Sequence, residues 1–140
     1  MSNFERFRNY LEENGIHYGE GELKHGNKFF RIPERLQNDL VVNVLVIFSE
    51  HSVKVLIAEI ATIEDERQKF ACYKLFNLFA EQYSFFRFYL REDGSVNAEG
   101  DVTLGVVKGE FQPDVLMGFV NTGLDFVQGV YNDIIKIRQA

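Results

Sequence analysis

Tryptophan is absent from this chain of 140 residues, cysteine occurs once, and proline and methionine occur twice each. The lone Cys72 cannot close an internal disulfide, so the expected setting is a reducing cytoplasm. Long apolar runs are also missing. The longest, Leu40 to Phe48, is interrupted by Asn43 and is far too short to cross a bilayer as a helix. The first residues, Met1 to Arg6, contain no apolar stretch, so no secretory signal is expected. Basic surplus is lacking as well. Fifteen Lys and Arg against 21 Asp and Glu give a net charge of −6, which repels phosphate backbones. Neither a nucleic-acid nor a membrane partner is expected.

Phenylalanine is abundant. Fourteen Phe and six Tyr sit in a chain that is 46% hydrophobic and 26% charged. That balance fits a globular protein with a substantial core, and the length fits a single domain over residues 1–140. Ser2 and Glu5 form an S-x-x-E capping signal for a first helix. Its residues Phe4, Phe7, Tyr10 and Leu11 share one face, and Asn14-Gly15 ends it. Gly15, Gly19, Gly21 and Gly26 make the following segment read as a polar loop, with a short irregular strand around Ile16–Tyr18. Lys28–Ile32 reads as a strand, with Pro33 ending it or marking an edge.

Leu40–Phe48 and Val53–Ile60, joined by Ser49–Ser52, read as an antiparallel hairpin. Both faces are apolar, which places the hairpin centrally or gives it cover on both sides. Ile63–Tyr83 reads as a helix whose apolar side chains spread over roughly 220° of its surface, where a surface helix needs little more than 100°. Some second layer must cover the excess, from this chain or from another copy. Phe85–Leu90, the turn Asp93-Gly94 and the alternating return strand Val96–Leu104 form a second hairpin, its Asn97, Glu99, Asp101 and Thr103 expected to face water. Gly105–Gly109 reads as a connection. Pro113 opens a last helix running to about Arg138, with Gly123 inside its apolar face. The fold class is therefore α+β: an antiparallel sheet of about five strands with three helices, in the order α-β-β-β-α-β-β-α.

The helix ending Leu75-Phe76-Asn77-Leu78-Phe79, the strand Phe86-Arg87-Phe88-Tyr89-Leu90, the turn Asp93-Gly94-Ser95-Val96 and the helix opening Phe111-Gln112-Pro113 resemble the corresponding parts of the YbjN family. The element order is also similar to that of type III secretion chaperones. The resemblance implies a small cytoplasmic bacterial protein, a homodimer that engages a protein partner. It supplies no catalytic residues.

The residues themselves offer no convincing catalytic set, so no enzymatic activity, cofactor or metal is expected. Cys72 reads as a buried structural thiol. His17, His25 and His51 lie in loops without metal-ligand spacing. Gly19-Glu20-Gly21 has the wrong spacing for a phosphate loop, and its glutamates repel phosphate. Glu99 and Asp101 share a strand face but read as solvated. The aromatic set Phe76, Phe79, Tyr83, Phe85, Phe86 and Phe88 is the candidate dimer or partner interface, with core packing as its competing explanation. The alternative function is a small-ligand or metal-binding protein, or an enzyme, using the Gly-rich loop 15–27.

Overall fold

The structure, a computed structural model, describes residues 1–37, 39–103 and 111–140. Helix α1 spans Asn3–Glu13, and the Ser2 hydroxyl caps it by accepting the Glu5 N–H at 3.1 Å. Phe4, Phe7 and Leu11 are buried, and the chain leaves the helix through Gly15 at φ +64. The sheet has six antiparallel strands: β1 (Gly19–Glu22), β2 (Lys28–Arg35), β3 (Val41–Phe48), β4 (Ser52–Thr62), β5 (Arg87–Leu90) and β6 (Ser95–Thr103). Helix α2 (Glu66–Gln82) lies between β4 and β5, and α3 (Pro113–Gln139) closes the chain. The spatial order is β1-β2-β3-β4-β6-β5. The class is α+β as expected, with β1 as an additional strand.

Strand β1 was hidden in the Gly-rich segment, which lacks the alternating apolar residues that announce a strand. It forms because β2 supplies its apolar surface. Gly21 opposes Phe29 in register, and a Cβ on Gly21 would fall 2.4 Å from the Phe29 ring. The ring lies over the bare backbone. Arg8 on α1 also grips Glu20 with two hydrogen bonds, at 2.8 and 2.7 Å. Pro33 does not end β2, which continues to Arg35. It sits past the last β1 partner, Arg31, where β2 has become an edge.

Along β2, β3, β4 and β6 the alternate residues Phe30, Ile32, Val44, Val46, Val53, Val55, Ile57, Val96 and Ala98 form one buried face. The helices pack on this face. Phe4 stacks on Phe30 at a 4.1 Å centroid distance, and Phe126 of α3 meets Phe88 of β5 at 5.1 Å. Burying each large aromatic contributes roughly 2–3 kcal/mol. Among the described residues, no helix covers the opposite face. There Phe29, Leu45 and Ile47 are half-buried. Leu56, paired with Leu45 and Glu99 on that face, is buried, so among the described residues the cover of the central hairpin is helical on one side and partial on the other.

The β6 face expected to be wet is wet only at its end. Asp101 and Thr103 are exposed, whereas Asn97 and Glu99 are buried. Between Ile57 and Ala61 the pairing of β4 with β6 shifts, and Glu59 adopts φ +55. This bulge folds onto Asn97, which accepts the Glu59 N–H at 2.9 Å and donates to Ser95 O and Oγ at 3.2 and 3.1 Å. The β5–β6 turn requires glycine: Gly94 has φ +84, and a Cβ there would lie 2.3 Å from Ile63 O. Residues 105–109, expected to form a connection, and Leu104 lie outside the described residues.

Candidate interaction surface

Asp65 starts α2, its Oδ1 accepting the N–H of Arg67 at 2.8 Å and of Gln68 at 3.3 Å. The helix turns Cys72, Phe76 and Phe79 inward. Phe76 and Phe79 meet Phe88 at 5.7 and 5.3 Å, and Phe79 meets Phe126 edge-on at 5.9 Å. Phe86 stacks on Phe119 at 4.8 Å. Of the six aromatic candidates, these four (Phe76, Phe79, Phe86, Phe88) are therefore buried inside the protomer. The other two emerge at the end of α2. Tyr83 is 45% exposed with its ring on Phe126 at 4.0 Å, and Phe85 is 69% exposed.

Phe70, Tyr73 and Leu78 on the outward side of α2 are also more than half exposed. Lys74 hangs over the Phe70 ring at 4.9 Å. Eight large hydrophobic residues are exposed among those described, and five of them lie between Phe70 and Phe85. Isolated exposed apolar residues are ordinary, whereas this concentration along α2 and the segment just after it makes a candidate contact surface.

Two clefts flank Phe85. One, of about 300 Å³, lies against α3 and is lined by Tyr83, Phe85, Phe86, Thr122, Asp125, Phe126 and Gly129. The other, of about 380 Å³, runs from Ala80 and Ser84 to Arg87, Glu99, Gly100 and Asp101. Glu99 is held by both Arg87, whose Nε donates at 2.9 Å, and Lys54 at 3.8 Å. The Glu99 carboxylate raises the Arg87 pKa still further. Burial raises the Tyr89 hydroxyl, with Glu99 adding to it. Glu99 and Asp101 thus do not act as a pair, because one is locked in an ion pair and the other faces solvent.

The YbjN family profile, described as "Putative bacterial sensory transduction regulator", matches residues 3–136. The chain belongs to the YbjN family. A search of curated proteins found no match.

The remaining candidate chemistry of this YbjN protein is dispersed. Cys72 is fully buried, and desolvation pushes its thiol pKa up, away from the reactive thiolate. His17, His25 and His51 are exposed. Among the described residues no group of three or more His, Cys, Asp or Glu side chains gathers to hold a metal. No described helix is long and apolar enough to cross a membrane. Sequence reasoning missed Phe70, Tyr73 and Leu78 as surface residues. The available signal was the excess width of the α2 apolar sector, which gives the presence of an outer face but not its members.

Proposed function

We propose that this YbjN protein is a non-enzymatic, homodimeric regulator of the cytoplasm that works by binding a protein partner. The outward face of α2, with Phe70, Tyr73 and Leu78, forms the seam between copies, and the Tyr83–Phe85 end engages the partner. The supporting observation is the concentration of exposed apolar side chains between residues 70 and 85. A helix of 17 residues is about 25 Å long, enough for an isologous helix-to-helix seam. The similarity in element order to type III secretion chaperones supports the same reading, since in that fold dimers hold segments of client proteins.

Light scattering at micromolar concentration tests the dimer. The expected mass is twice that of the 16.3 kDa chain. Phe70→Glu combined with Leu78→Glu should reduce it to one chain while the far-ultraviolet circular dichroism is unchanged. A one-chain mass for the unmutated protein refutes the seam. Charges at Phe79 or Phe86 are unsuitable for this test, because both rings are buried in the core and an unpaired charge there destabilises the chain itself.

A further inference from the structure

The cleft between α3 and the Tyr83–Phe85 segment combines four aromatic rings with one carboxylate. Tyr83, Phe85, Phe86 and Phe126 form its walls, and Asp125 is exposed at its rim. Asp125 makes no ion pair among the described residues. From Pro113 to Ile135 helix α3 carries Asp114, Asp125 and Asp133 and no Lys or Arg. Helix α3 therefore brings a carboxylate and no cation to the cleft. The two exposed rings, Tyr83 and Phe85, suit the same kind of occupant, since an aromatic face carries the negative part of the ring quadrupole and attracts a cation within about 6 Å. The second cleft differs, because Lys54 and Arg87 balance the carboxylates there.

Size narrows the occupant. At about 300 Å³ the cleft stands at the bottom of the range for small-molecule sites, roughly 300–1,000 Å³, so it suits one long side chain rather than a nucleotide-sized cofactor. Gly129 is the second sign. It is exposed in mid-helix, where glycine costs about 1 kcal/mol relative to alanine, and nothing lies within 4 Å of the place a Cβ would take. No close neighbour demands glycine there, and its bare backbone forms part of the cleft wall.

We infer that this cleft binds a Lys or Arg side chain presented by a segment of a partner protein, the cationic head over the Tyr83 and Phe85 rings and paired with Asp125, the methylenes against Phe126. This rests on the protein-binding function proposed above and specifies the chemistry of the partner.

The test titrates the full chain with a synthetic peptide of about eight residues carrying a central Arg among Ser and Gly, followed by two-dimensional NMR. Signals of residues 83–86 and 122–129 should shift. Citrulline in place of Arg, which keeps the shape and removes the charge, should weaken binding by about tenfold. Asp125→Asn, at an exposed position, should weaken it about as much, and Gly129→Leu should block it with the circular dichroism intact. Equal binding of the Arg and citrulline peptides, no binding at millimolar peptide, or unchanged affinity in Asp125→Asn would overturn the assignment. Tetramethylammonium binding as tightly as the peptide would overturn the protein-segment source in favour of a small cation. Protein concentration alone shifting the same signals would assign the cleft to a second copy instead. Light scattering on the same samples separates the two claims. A dimer that ignores the peptide sinks only the cation site, and a monomer that binds it sinks only the seam.

Discussion

The Glu59 backbone N–H donates to Asn97 Oδ1 at 2.9 Å, across the step where β4 advances from Ile57 to Ala61 while β6 retreats only from Ala98 to Val96. The extra length in β4 has to bend away, and bending strips a backbone N–H of its ladder partner. Asn97, only 1% exposed, replaces that partner with its side-chain oxygen and spends its amide group on Ser95. Asn97→Ala leaves the Glu59 N–H without an acceptor in a half-buried setting, at an expected cost of about 2 kcal/mol. Glu59→Gly should act in the opposite direction, stabilising by about 0.5–1 kcal/mol, because φ +55 strains a residue with a Cβ. Urea unfolding checks both. The midpoint should fall for Asn97→Ala and rise for Glu59→Gly, with the slope unchanged.

Tyr18 ties the segment after α1 to that helix. Its hydroxyl donates to Glu12 Oε1 at 2.7 Å, and this bond, with desolvation and the negative field of Glu12 behind it, pushes the phenol up to about 12. The unfolded phenol titrates near 10. The folded state therefore holds its proton more tightly, and the stabilisation is complete below pH 10 and disappears as pH rises through about 12. Tyr18→Phe should flatten the fall in stability over that alkaline window. It should also remove a late component from the ultraviolet phenolate titration. A wild-type titration in which no tyrosine is delayed beyond the ordinary range would contradict the bond.

Gly123 and Gly118 lie on the same helix with opposite surroundings. A Cβ at Gly123 would fall 2.5 Å from the Phe86 ring, which is held from its other contacts by the stack on Phe119. A Cβ at Gly118 meets nothing within 4 Å, and nothing in the structure explains the glycine there. Gly123→Ala should cost about 1–3 kcal/mol through displacement of Phe86, whereas Gly118→Ala should gain up to about 1 kcal/mol of helix propensity. Thermal unfolding of the pair, read against wild type, gives both signs in one experiment.

The parts of this fold that were legible in sequence are those set by local chemistry. Ser2 before Phe4 and Phe7, Asp93-Gly94 between two apolar runs, and Pro113 ahead of a long helical period each act within a few residues. Gly123 was readable as a close-approach site for the same reason. Strand β1 was not, because Gly19–Glu22 has no apolar period of its own and borrows the Phe29 ring from its neighbour. Asn97 and Glu99 occupy polar positions in a clean alternation, and only the distant Glu59 bulge, Arg87 and Lys54 turn them into buried groups. The candidate surface was half legible. The width of the apolar sector on α2 announced an outer face. The choice of Phe76 and Phe79 for the core and Phe70 for the surface depends on where α3 and β5 stand, which no helical wheel contains.

That choice gives the sharpest contrast for mutation. Phe79 is 5% exposed and touches Phe76, Phe88 and Phe126, whereas Phe70 is 62% exposed and touches only Lys74 among the described aromatic and cation contacts. Truncating Phe79 to Ala removes its transfer free energy and opens a cavity among rings that cannot collapse into it, so about 3–5 kcal/mol should be lost. Phe70→Ala should change the stability of an isolated protomer by less than about 0.5 kcal/mol. If two copies meet through α2, its effect becomes visible as a dependence of the unfolding midpoint on protein concentration, strong in the wild type and weakened in the variant. Chemical denaturation at two concentrations a hundredfold apart measures both quantities. Equal losses for the two substitutions at low concentration would show that the outward side of α2 is packed in the protomer after all.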